Sequence, residues 1–118
     1  MPDPRPVVVL IGCDPRQTGR AFEAMRIAVG IVAGESAVAI VLTAGAVHLL
    51  DDDTDDLVDG DDIAKFRANL RRLGVPFHVA TDALPAGGDW NGDGHRIVPV
   101  GPDAIAALVS GARRLLAF

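Results

Sequence analysis

The sequence has no tyrosine, one tryptophan and four phenylalanines among its 118 residues, so aromatics make up only 4% of it. A core without large rings must be assembled from Val, Ile, Leu and Ala through many small contacts. Cysteine is nearly absent as well. Cys13 stands alone, which excludes an internal disulfide framework and any site built from several thiolates. Lysine occurs once, at Lys65, so almost all basic charge is arginine. Basic residues are outnumbered, eleven against sixteen acids, for a net charge of −5. That balance argues against nucleic acid or an anionic membrane as the main partner, since both reward a basic surface. Long apolar runs are missing too. The longest mostly apolar stretch, Ala37 to Leu50, is interrupted by Thr43, Gly45 and His48 and is too short to span a bilayer. The opening Met1-Pro2-Asp3-Pro4-Arg5-Pro6 has no basic segment ahead of an apolar core, so no secretory leader is expected. The expectation is a soluble cytoplasmic protein.

What is present points to one packed domain over 1–118. Apolar residues make up 49% of the chain, enough for a sizeable core. The acidic charge is concentrated. Eight of the sixteen acids lie between Asp51 and Asp62, and without that stretch eleven basic residues face eight acids, a net charge of +3. Like charges at this density predict a solvated, mobile loop, with an interaction loop facing a basic partner as the other reading.

Two kinds of segment alternate along the chain. Val7-Val8-Val9-Leu10-Ile11, ending at Gly12, reads as a strand buried on both faces. Asp14-Pro15 with Gln17 then offers a helix start, and Phe22, Met25, Ala28, Val29 and Val32 recur at helical spacing until Gly34. A second strand follows at 37–42, and a short helix at 46–50 leads into the acidic loop. Asp61 or Asp62 can cap the next helix, whose apolar stripe is Ile63, Phe66, Leu70 and Leu73 before Gly74. Strands are expected at 75–80, 97–100 and 115–118, with a Pro/Gly-rich segment at 85–94 and a last helix from Pro102 or Asp103 through Gly111. Strands alternating with helices predict an α/β three-layer sandwich, with a mainly parallel five-stranded sheet and helices on both faces.

In such sheets ligands bind outside the carboxyl ends of the strands. Cys13 lies at one such end, beside Arg16, Arg20 and an expected helix N-terminus. It is the one candidate nucleophile or sulfur carrier, weighed against an inert thiol buried at a strand end. Neither G-x-G-x-x-G nor G-x-x-x-x-G-K-[ST] occurs, and no cofactor is expected. Asp89-Trp90-Asn91-Gly92-Asp93-Gly94 reproduces the first half of a calcium loop, with oxygen ligands at Asp89, Asn91 and Asp93 and glycine at the sixth position. The second half departs from it: Arg96 stands at position 8 and Val100 where a bidentate Glu would close the site. The alternative is a tight polar turn in which Asn and Gly take left-handed conformations. His48 and His78, each in an apolar stretch, read as packed side chains, and His95 as exposed. No metal site is expected from them.

The layout resembles the DsrE/DsrF-like family, which includes the TusB, TusC and TusD type subunits of sulfur relays. Ala21-Phe22-Glu23-Ala24-Met25-Arg26-Ile27-Ala28-Val29-Gly30 is similar to that family's A-x-E-A-L-R-x-A-x-G first helix. The run Val38 to Val47 resembles its V-x-V-x-L-x-G-D-G-V strand and turn. Leu73-Gly74-Val75 resembles the L-G-V before its third strand, and Arg114-Leu115-Leu116-Ala117-Phe118 its terminal D-x-V-L-x-F. The resemblance implies a place in sulfur trafficking, homo- or hetero-oligomers with DsrE-like subunits, and a sulfur-carrier protein as a further partner. It also implies a sulfur-accepting cysteine just after the third strand. Here His78-Val79-Ala80-Thr81-Asp82-Ala83-Leu84 occupies that stretch, with Ala80 or a neighbour in place of the thiol. This departure is similar to the cysteine-poor DsrF/TusC-like members, which implies a binding or scaffolding subunit rather than an enzyme. A sulfurtransferase-like persulfide carrier using Cys13 is the alternative.

Overall fold

The computed structural model describes residues 4–118 and contains five strands in one sheet. Met1-Pro2-Asp3, on which the expectation of no secretory leader partly rests, lies outside the described residues. The strands are β1 (Val7–Ile11), β2 (Val38–Leu42), β3 (Phe77–Ala80), β4 (Ile97–Val100) and β5 (Arg114–Ala117). All are parallel, in the order β4-β3-β2-β1-β5. The β-branched runs explain the central position of β1 and β2: an all-parallel sheet is covered on both faces, so its inner strands have no polar side to show. Val8, Val9, Ile11, Ile40, Val41 and Leu42 are all fully buried.

Helices α1 (Arg20–Ala33) and α2 (Gly60–Arg72) share one face, and α3 (Pro102–Ser110) covers the other. On the first face Ala21, Ala24 and Ala28 let α1 approach closely, and Phe22 stacks on Phe66 of α2 with ring centroids 5.7 Å apart. On the second face Val8, Ala39, Val41 and Val100 form a smaller cluster under Ile105 and Leu108. The three-layer reading is therefore correct, with the α3 layer much thinner than the other.

Several boundaries differ from expectation: β3 begins at Phe77 and not at 75, the short helix before the acidic segment begins at Ala44 and not at 46, and three further differences bear on packing. α1 begins at Arg20, not at Asp14-Pro15, because Asp14 is spent on a turn: its carboxylate accepts from the Arg16 backbone and guanidinium, and its carbonyl from Gln17 and Thr18 N–H. Neither Asp61 nor Asp62 caps α2. Asp59 stands at that position, at φ 57°, without a side-chain cap bond. Leu73 leaves the apolar stripe as the residue after the helix and is 56% exposed, whereas Arg67 joins the stripe and is buried.

The acidic segment keeps its carboxylates in solvent apart from the half-buried Asp51, but its backbone is tied down. Leu57 is buried in the main core, Val58 N–H donates to Pro15 O at 2.7 Å, and Asp52 N–H donates to Asp89 O. It is a strap rather than a free loop. Among the described residues no helix is long and apolar enough to cross a membrane.

Candidate functional site

The chain leaves β3 and β4 in opposite directions. Beyond β3, Ala83, Leu84 and Trp90 pack toward the α1/α2 face, while β4 runs into α3 on the other face. Adjacent parallel strands that diverge in this way open a crevice outside their carboxyl ends. A cleft of about 370 Å³ lies there, lined by Thr43 after β2, by Ala80, Thr81 and Asp82 at the end of β3, and by Pro102 and Ile105 of α3. Its walls are mainly apolar, with two hydroxyls and one carboxylate as the polar groups. Thr43 ties this rim to β1, its hydroxyl donating to Ile11 O at 3.3 Å.

The turn after Thr43 is strained. Ala44 is exposed and holds φ 50°, a conformation that costs a non-glycine residue about 1 kcal/mol. Gly45 beside it has no room for a side chain, since a Cβ there would lie 2.8 Å from Asp14 Cβ. Ala44→Gly is expected to raise stability by about 0.5 kcal/mol, the relief of strain exceeding the extra unfolded-state entropy of glycine. A lower urea midpoint for that variant would contradict this.

Cys13 does not line the cleft. It lies past the end of β1, partly buried, and packs toward the α1/α2 core. β2 separates β1 from β3, so Cys13 and Ala80 are held two strand spacings, roughly 10 Å, apart. Burial pushes the Cys13 thiol up from its ordinary value, and the Arg20 guanidinium offsets only part of this. Arg20 itself also lies over the Phe118 ring, 5.9 Å from the centroid. Asp14, by contrast, is held below the ordinary carboxylate range by its hydrogen bonds from Arg16.

The 89–94 segment is engaged in its own turn. The Asn91 side chain accepts from His95 N–H and donates to His95 O, so both its polar atoms are used. Asp93 reaches toward Arg67, with Nη2 3.3 Å from Oδ2, and Asp89 accepts through its backbone carbonyl from Asp52. Asn91 and Gly94 do take left-handed conformations, φ 54° and 77°. Among the described residues no group of three or more His, Cys, Asp or Glu side chains could hold a metal ion.

The histidines divide differently from expectation. His48 is half-buried against Asp51, with Nδ1 3.0 Å from Oδ2, and His78 lies half-buried with Nδ1 3.3 Å from Ile40 O. His95 is not exposed, as the polar turn had suggested, but buried edge-on against Phe77. Among the described residues neither of its ring nitrogens has a hydrogen-bond partner, with Asp93 Oδ2 3.8 Å from Nε2. Burial, with Arg67 nearby, pushes His95 below its ordinary value. The residue that sequence reasoning missed is Arg67. Its Nη1 donates to Leu49 O at 3.1 Å and Asp51 O at 2.7 Å, which anchors the start of the acidic strap. Its spacing from Ile63 and Leu70, four and three residues away, was the available signal.

No protein-family model and no curated protein sequence matches the chain. Among solved structures, the ychN protein of E. coli is similar, at a TM-score of 0.75 over 97% of this chain and 99% of that one. The two are 16% identical, so the likeness is one of fold. The fold is DsrE-like, as the sequence resemblance implied.

Proposed function

We propose that this protein is a binding or scaffolding subunit of an oligomer linked to sulfur relay, which holds a sulfur-bearing partner at its rim without taking the sulfur itself. One observation carries the reading. Ala80, at the end of β3 where the resemblance implies a sulfur-accepting cysteine, lines the cleft, and the chain's single thiol lies on the other side of the sheet. What remains in the cleft can bind but has no nucleophile of thiolate strength. Thr43 and Thr81 offer hydroxyls and Asp82 a carboxylate, over an apolar wall from Ile105.

Cys13 as persulfide carrier is the rival reading, favoured by Arg20, whose charge stabilises the thiolate. The two are separated by incubating the protein with a sulfane-sulfur donor and measuring intact mass. The expected result is no stable gain of one sulfur, together with slow alkylation of Cys13 at neutral pH, as a thiol of raised pKa requires. A one-sulfur adduct that disappears in Cys13→Ser would establish the carrier instead.

A further inference from the structure

We propose that the acidic strap of one chain docks head-to-tail on a second copy, with Val58 and its flanking carboxylates seated in the cavity between α1 and β5. This rests on the oligomer reading above and names the contact. The cavity measures about 450 Å³ and has an apolar floor of Ile27, Ile31 and Leu116. Gly30 gives it depth, since nothing lies within 4 Å of where a Cβ would stand. Arg113 and Arg114 form its rim. Both are exposed, and among the described residues neither guanidinium is paired with a carboxylate. Arg16, Arg26 and Arg67 each have a carboxylate within 3.3 Å, whereas Arg113 and Arg114, like Arg71 and Arg72 at the end of α2, have none among the described residues, and the 113–114 pair borders an apolar floor. Among the described residues β5 pairs with β1 alone, and no strand lies on its other edge.

The strap is complementary to this cavity in charge and in polarity. Among the described residues Val58 is one of three exposed large apolar side chains, 38% accessible, and is flanked by exposed Asp55, Asp56, Asp59 and Asp61. An apolar knob between carboxylates fits an apolar floor under two guanidiniums. The strap is already fixed by Leu57 in the core and by the Val58 N–H to Pro15 O bond, so docking it loses little conformational freedom. A chain cannot make this contact with itself. The strap lies by the turn that follows Cys13, at the carboxyl end of the sheet, whereas the cavity takes in Val7, where β1 starts, and Gly34, after the end of α1. Two different patches meeting between identical chains build a ring when the rotation closes.

Sedimentation velocity of the full chain at low and high sodium chloride tests this, with charge reversals on each side. Arg113→Glu/Arg114→Glu and Asp55→Lys/Asp56→Lys are each expected to weaken association roughly tenfold or more, with the native circular dichroism spectrum retained. All four changes in one chain are expected to restore it. Assembly indifferent to salt and to both reversals overturns the docking while leaving an oligomer. Loss without restoration in the fourfold variant assigns the arginines to a different acidic occupant and also overturns it. A strict monomer at every concentration overturns this contact and the oligomer reading together.

Discussion

Gly60→Ala is expected to lower the thermal midpoint by roughly 10–15 °C, a loss of about 3 kcal/mol. Gly60 opens α2 and is buried, and a Cβ there would stand 2.0 Å from Thr54 O and 3.0 Å from Thr54 C. Both are backbone atoms, so no rotamer change relieves the clash. Thr54 O also accepts from Leu57 N–H at 3.0 Å, and Gly60 N–H donates to Leu57 O at 3.1 Å. Pushing the carbonyl aside breaks this turn and draws Leu57 out of the core. Gly30→Ala is the control. Its Cβ meets nothing within 4 Å in the last turn of α1, so the helix gains roughly 0.5–1 kcal/mol. Differential scanning calorimetry of the two variants should therefore move in opposite directions. A Gly60→Ala midpoint within a few degrees of wild type would mean that the strap yields without loss and is not packed as described.

That strap marks where sequence reading runs out. β1 and β2 were legible because their residues have only one stable environment: a run of Val, Ile and Leu with no polar member belongs in a strand covered on both sides. The helix starts were less so, because the same residues serve competing structures. Asp14-Pro15-Arg16-Gln17 fits a helix cap, yet Asp14 binds Arg16 instead and closes a turn before the helix begins. Eight aspartates in twelve residues look like free solvated chain, and nothing in their charge reveals that Leu57 and Gly60 pin them to the core. The candidate site was legible as a place and not as a set of side chains. The crevice at the strand ends follows from the α/β pattern, but only the order β4-β3-β2-β1-β5 puts Cys13 and Ala80 on strands separated by β2. His95 was misread because its neighbours are polar and glycine-rich, while the contact that buries it, Phe77, is eighteen positions away.

The second large effect is expected from Arg67→Met, at about 2–4 kcal/mol of lost stability. Methionine replaces the aliphatic stem of a side chain that is 5% exposed, so packing is largely kept and the loss is polar. Leu49 O and Asp51 O each lose their donor, and both belong to the segment that enters the strap. Against this, the Arg67 Nε is buried without a partner, and its removal returns part of the cost. The ion pair with Asp93 contributes little, because that carboxylate is 53% exposed and 3.3 Å away. Asp93→Asn is accordingly expected to cost well under about 1 kcal/mol, and the contrast between the two variants identifies the carbonyl bonds as the main term. Hydrogen exchange adds a spatial readout. Amides that the strap orders, Asp52 N–H on Asp89 O and Asn91 N–H on Leu50 O, should lose protection in Arg67→Met more than those of β1 and β2. Equal losses in Arg67→Met and Asp93→Asn would instead make the ion pair the main contribution of Arg67. Uniform loss of protection across the sheet would show that Arg67 supports the whole core and not the strap alone.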